Sequence, residues 1–449
     1  MRISVQRLAV AVLFLQPADA APAGLLDTVG AVTKLLTLPT NYVQRLTSVL
    51  ETKPSTGAGV LNTADLQSKL GSVWNTGGTG DFYDKVQRQI GHGIVPSGLL
   101  SNFQGLLGTG ALGSLDLANL GNKLVAPVNA IDSTNNNNIR NPAKPIWPKK
   151  DAADAPYTLS EAQLRQAIYI PQTFTYGQKP PVIFLLSNVP YADPVWLNIP
   201  GALLGDAQVN SEYVAYAINY INGISNQTSS IISWSQGGLD TQWAFTFWPS
   251  TRSAVRNFFP VSPDFHGTIL ANVLCLSTGN GAINAPCDPS VIQQQYTSVF
   301  VTTLRARGGA DAYVPTTTFY SAVLDEVVEP QQGVAASAYL NDARGVGVTN
   351  IEVQSVCAGR PAGGVYGHAT MLFNPLTAAL IKDVLKRGQG PAQVQNINLE
   401  DVCKDIVSPG LTLEDGIATA GSIVAAAIRL LAYLPKLIAE PGLMAYARG

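Results

Sequence analysis

Residues 229–240 read SSIISWSQGGLD: an isoleucine pair, a serine flanked by tryptophan and glutamine, and two glycines in succession. This stretch constrains the chain more than any other. Ile231 and Ile232 fit a buried strand, whereas Leu239, Trp243 and Phe247 recur every fourth residue, as one face of a helix does. A serine at the turn between such a strand and helix presents its hydroxyl above the end of a sheet, in a small-x-Ser-x-small frame. Here Ser233 and Gly237 bracket Ser235. A non-glycine residue in so sharp a turn carries about 1–3 kcal/mol of strain. The flanking positions are expected to be small so that strand and helix clear each other.

A serine nucleophile needs a base, and the base needs an acid to orient it. On an elbow of this kind the chain order is Ser, Asp or Glu, then His. The sequence holds three histidines, His92, His266 and His368. His92 precedes Ser235. His266, in VSPDFHGT, leaves little chain for an intervening acid. His368, in the glycine-bracketed GGVYGHATM after the β-branched run NIEVQSV, is the preferred base. The acid should follow a strand, and TTTFYSAVLDEVVEPQ, residues 316–331, ends its β-rich run in Asp325-Glu326. Asp325 is preferred because it comes first, with Glu326, Asp311 and Glu329 as alternatives. The oxyanion of an acyl transfer would take the backbone N–H of Gln236 and a second donor from the loop after an early strand. In PPVIFLLSNVPYADP that loop offers Ser187 and Asn188.

The blocks SWSQGGLDTQWAFTFWPSTRS, SPDFHGTIL, QQQYTSVFVTTLR, VPTTTFYSAVLDEVVEPQ and EPGLMAYAR resemble the fungal lipase family of the Candida antarctica lipase B type, over about residue 155 to the C-terminus. The resemblance implies an α/β-hydrolase with esterase or lipase activity and little interfacial activation. Residue by residue it implies Ser235 as nucleophile, Asp325 as acid, with one extra residue shifting the local spacing, and His368 as base. It also places Asp264 and the pair Gln293-Gln294 on the acyl side of the pocket, with Gln294 as the expected substrate contact. The second oxyanion loop departs from the family's P-G-T-G, which puts the level of activity in question. Of the three pairings that four cysteines allow, Cys275 with Cys287 and Cys357 with Cys403 are favoured. The family has a bridge like the second, which would brace the His368 loop; the first has no counterpart there.

The chain opens MRISVQRLAVAVLFLQPADAAPAG, with an apolar stretch from Leu8 to Leu15 and an A-x-A site at Ala18-Asp19-Ala20. Residues 1–20 are therefore expected to be a secretory signal, too short to span a bilayer in the mature protein. An even cysteine count fits the oxidising compartment that secretion implies, and NQT at residues 226–228 makes Asn226 a glycosylation acceptor. Residues 21–150 are expected to form a helical, low-complexity extension or propeptide ending in a polar linker, with Lys149-Lys150 as a solvent-exposed pair or, alternatively, a processing site. Residues 151–449 are expected to form the α/β-hydrolase catalytic domain. There YTLSEAQLRQAI opens a helix with a Thr158–Glu161 capping box, and PPVIFLLS, SSIISWS, VRNFFPVS, TTTFYSAVL and NIEVQSV read as strands of a mostly parallel sheet covered on both faces. The C-terminal LEDGIATAGSIVAAAIRLLAYLPKLIAE reads as a long helix packed over the core; the family resemblance implies that a helix at this position borders the active-site mouth.

A net charge of -2 without basic clusters argues against a nucleic-acid partner. No transmembrane anchor, metal ligand set or cofactor motif is expected. The expected partner is a small-molecule or lipid ester substrate, with a lipid–water interface as a further candidate. The expected reaction is cleavage of carboxylic esters through an acyl-enzyme, failing as pH drops through a histidine pKa near roughly 6.5. The alternatives are a catalytically weakened lipid-binding protein of the same fold and a short-chain esterase or polyester hydrolase.

Overall fold

A computed structural model of the chain describes residues 138–183, 192–275, 286–322, 325–364, 366–411 and 433–448, together with Thr419, Ala426 and Leu430. The expected signal segment, the extension up to residue 137 with His92, the loop residues Ser187 and Asn188, and most of the C-terminal helical run lie outside the described residues.

Among the described residues the strands are β1 (Ile168–Tyr169), β2 (Pro181–Ile183), β3 (Asp193–Leu197), β4 (Ser229–Trp234), β5 (Val255–Val261), β6 (Thr316–Tyr320) and β7 (Val348–Glu352). They form one sheet in the order β1-β3-β2-β4-β5-β6-β7. Only β1 runs antiparallel, against β3; every other pair is parallel. The helices include α1 (Glu161–Gln166), α2 (Ala207–Ser225) between β3 and β4, α3 (Gln236–Phe247) between β4 and β5, α4 (Ile269–Leu274), α5 (Pro289–Gln293) and α6 (Val299–Leu304) between β5 and β6, and α7 (Val353–Val356), α8 (Pro375–Arg387) and α9 (Leu399–Val402) after β7.

Consecutive apolar residues in the central strands are buried on opposite faces, because successive side chains of a strand alternate. Ile231, Phe258 and Ile183 join one core with Tyr216, Leu239 and Trp243 of α2 and α3. Their neighbours Ile232, Phe259 and Val182 join a second core with Leu376, Leu380 and Val384 of α8. Covering both faces is what turns these strands into unbroken apolar runs. The C-terminal ends of β4, β5 and β6 consequently open onto the same edge of the sheet.

Residues 138–150, which the sequence reads as linker, pack on the body: Ile146 is buried, Trp147 Nε1 donates to the Leu159 carbonyl at 3.0 Å, and Lys150 Nζ donates to Asn219 Oδ1 at 3.2 Å. Two expectations need correction. The capping box of α1 uses Ser160 and Gln163, because Thr158 is taken by Glu212, which accepts its hydroxyl at 2.6 Å and its N–H at 2.7 Å. The run NIEVQSV is strand only to Glu352, and Val353–Val356 turns into α7. There the β-branched preference yields to packing of Val353 in the second core.

Candidate active site

Ser235 occupies the turn between β4 and α3 with φ 55° and ψ -135°, a conformation costly for a residue with a Cβ. Its N–H donates to the Val261 carbonyl at 2.9 Å, and its own carbonyl accepts the Gly238 N–H at 2.8 Å. The elbow is thus pinned to the end of β5. Its demand for small residues is shifted by one position from expectation. A Cβ on Gly237 would meet Ser233 Cβ at 3.6 Å, an ordinary contact, whereas one on Gly238 would stand 2.7 Å from Pro263 Cβ and 3.4 Å from Pro260 Cβ. Gly238 is what lets helix and strand approach.

Gln236 is the first residue of α3, so its backbone N–H has no partner within the helix and lies at the positive end of the helix dipole. Its side chain is held from two sides. Nε2 donates to the Leu203 carbonyl at 2.9 Å and to Asp240 Oδ2 at 3.3 Å, and Oε1 accepts from Gln294 Nε2 at 2.9 Å. Gln294 therefore reaches the elbow. Gln293 faces away, accepting the Ala207 N–H and donating to Asp206 Oδ1, both at 2.7 Å, at the start of α2.

Asp325 and His368 meet in the interior. His368 Nδ1 lies 3.0 Å from each carboxylate oxygen of Asp325, so it is Nδ1 that carries and donates the proton. Asp325 Oδ1 also accepts the N–H groups of Val327 at 3.1 Å and Val328 at 2.8 Å. Trp234, one residue before Ser235, has its ring 5.1 Å from the imidazole, and its Nε1 donates to the His368 carbonyl at 3.1 Å. The His368 N–H is donated to Glu326 Oε2 at 2.8 Å. Nε2 is buried and has no hydrogen-bond partner among the described residues, so the contact to the Ser235 hydroxyl is not closed. Hydrogen bonds of this kind commonly tighten only when substrate is bound.

Burial opposes charge on His368, but the charge and hydrogen bond of Asp325, then the charges of Glu326 and Asp264, outweigh it and leave the imidazole pKa above its ordinary value. Asp264, just past β5, is fully buried and neither carboxyl oxygen has a partner among the described residues. Burial pushes its pKa up to about 7, with the nearby Asp325 charge adding and the Asp264 backbone and His368 opposing. Burial likewise raises the pKa of Asp240 well above the usual carboxylate range, with Asp264 next in effect.

Among the alternatives, His266 is buried and donates its backbone N–H to Ser337 Oγ at 3.0 Å. Asp311 sits in a bridge with Asn341. Glu326 grips the histidine backbone in place of its ring. The carboxyl of Glu329 is raised well above its ordinary pKa by burial, then by the charges of Asp325 and Glu326. Disulfides join Cys275 to Cys287 and Cys357 to Cys403. The second brackets the histidine loop, where the Ala362 N–H donates to the Cys403 carbonyl at 3.0 Å. Asn226 is exposed at the left-handed C-cap of α2. Among the described residues no cluster of ligating side chains suits a metal ion, and no helix is long and apolar enough to cross a membrane.

Sequence reasoning missed the Trp234 N–H and the Glu326 carboxylate as anchors of His368. Glu326 is named by the sequence only as an alternative acid for the ring, and for Trp234 its place directly before Ser235 is the only signal.

No protein-family model matches the chain. Lipase B of Pseudozyma antarctica is 37% identical over 258 residues, which span 57% of this chain and 70% of that protein. The crystal structure of Aspergillus fumigatus lipase B is similar at a TM-score of 0.66 and 36% identity, covering 99% of this chain and 100% of that one.

Proposed function

The chain belongs to the lipase B family of α/β-hydrolases, and from that premise we propose that it cleaves carboxylic esters through an acyl-enzyme on Ser235. The protein is a carboxylic ester hydrolase of the lipase type. Ser235 Oγ attacks the ester carbonyl as His368 Nε2 takes its proton. Asp325 fixes the imidazole with its proton on Nδ1 and stabilises the imidazolium that forms. The Gln236 N–H at the head of α3 supports the oxyanion. His368 then returns its proton to the departing alcohol, and water releases the acid by the same route. Asp264 and Gln294 line the acyl side of the cleft, with Asp264 uncharged over much of the acidic range. The observation that carries this reading is the two-oxygen grip of Asp325 on His368 Nδ1, at 3.0 Å each, beside a serine in a strained elbow.

The apolar N-terminal stretch, with residues 1–20 removed, and the two disulfides support a secreted enzyme, and exposed Asn226 supports glycosylation. The packing of residues 138–150 supports their retention, with any processing upstream of Lys149-Lys150. Treating the protein with a p-nitrophenyl alkylphosphonate should release one equivalent of nitrophenol and leave the phosphonyl group on the peptide containing Ser235. A label on any other residue would overturn the assignment.

A further inference from the structure

Asp325 and Glu326 are consecutive acids, and both are used by the same histidine in different ways. Asp325 holds the ring. Glu326 Oε2 accepts the His368 backbone N–H at 2.8 Å. On the other side, Trp234 Nε1 donates to the His368 carbonyl at 3.1 Å. Both backbone polar groups of His368 are thus occupied by side chains, one from the strand that delivers Ser235 and one from the turn that delivers Asp325.

The fit of Glu326 is close. A Cβ on Gly367, the residue before His368, would lie 2.4 Å from Glu326 Oε2 and 3.0 Å from Oε1. The carboxylate therefore lies against the bare Cα of Gly367, and any side chain there would displace it. A water-exposed loop N–H can be satisfied by solvent; an enclosed one needs a fixed partner.

We infer that Glu326 is a positioning residue for His368, its carboxylate seated on Gly367 and bonded to the histidine N–H so that the imidazole stands at a fixed place between Ser235 and Asp325. The inference rests on the reading of Ser235, His368 and Asp325 as the reacting set. A second consequence follows from charge. The titratable groups that act on His368 are Asp325, Glu326 and Asp264, and Glu326 is the next carboxylate after Asp325 in favouring the imidazolium. Glu329 faces Asp325 and Glu326 in turn.

The test uses the full chain, p-nitrophenyl butyrate, and the variants E326Q, E326A and G367A, with S235A as the control for the underlying reading. E326Q keeps an oxygen to accept the N–H and removes the charge. It should hold its alkaline kcat within about three-fold of the parent while the acid limb of kcat/KM moves to lower pH. E326A removes the seat, and kcat should fall about 10- to 100-fold with KM little changed, as a displaced reacting group does. G367A should resemble E326A, and the double variant E326A/G367A should be no worse than either single one, because both disturb one contact.

A merely structural Glu326 would lower the melting temperature and leave both kcat and the acid limb where they are, and that result in E326A and E326Q overturns the inference. Should E326A fail to fold, the pH profile of E326Q and the kcat of G367A decide: an unmoved limb with an unchanged G367A kcat overturns it. Activity surviving in S235A sinks the underlying reading. Loss in S235A with none in E326A sinks this inference alone.

Discussion

Trp234 and His368 are joined across the sheet edge: the indole N–H of the residue preceding the elbow serine donates to the histidine carbonyl at 3.1 Å, and the two rings stand 5.1 Å apart. The strand carrying Ser235 thereby holds the loop carrying His368, although 134 positions separate the pair. Replacing Trp234 by phenylalanine keeps the ring and removes the donor. The His368 carbonyl loses a buried partner, so W234F should lower stability by about 1–3 kcal/mol, and kcat should fall further than KM changes. Thermal unfolding with steady-state kinetics checks both.

Asp325 orients His368 by accepting its Nδ1 proton on both oxygens. An asparagine there offers an N–H that favours the opposite tautomer, leaving Nε2 protonated and unable to act as a base. D325N should lower kcat by roughly 10⁴ with KM nearly unchanged, the size of loss seen when a triad acid is so replaced. A loss under ten-fold would contradict the role.

The pH dependence follows from the raised pKa of His368. The base must be neutral, so kcat/KM falls as pH drops through that pKa. Because the neighbouring carboxylates, Asp325 first, outweigh burial, the acid limb should lie above the ordinary value of about 6.5. A full pH–rate profile with a midpoint clearly below that value would contradict this electrostatic picture.

Asp264 gives a second, opposite test through stability. Its folded pKa of about 7 exceeds the unfolded one, so the folded state holds this proton more tightly. The contribution is fully present below the unfolded carboxylate pKa of about 3.9 and is lost as pH rises through about 7. D264N removes that dependence, and should be more stable than the parent at pH 8 by on the order of 3 kcal/mol while matching it more closely at pH 5. Urea unfolding at the two pH values measures the difference.

Much of the fold was legible because local pattern and final packing agree. Ile231-Ile232 and Phe258-Phe259 are apolar pairs whose members face two separate cores, and such runs mark central parallel strands. Ser235 was legible because small residues must flank a strained turn, though the tight contact proved to be at Gly238, which only the position of Pro263 determines. By contrast β1 is two residues long and carries no period, and the short segment of β3 begins Asp-Pro, an unpromising start for a strand. The choice of Ser160 over Thr158 as helix cap depends on Glu212, more than fifty positions away. The grip of Glu326 on His368 crosses 42 positions through a backbone N–H, which no side-chain pattern announces.

Whether Ser235 is the nucleophile of an ester hydrolase is decided by the turnover of p-nitrophenyl butyrate and palmitate by the parent and by S235A. The parent should show clear turnover, and S235A should lose at least about 10³-fold with the melting temperature retained or raised. Only the background that binding and the oxyanion donors give without a nucleophile should remain. Equal turnover by parent and variant would contradict that role for Ser235.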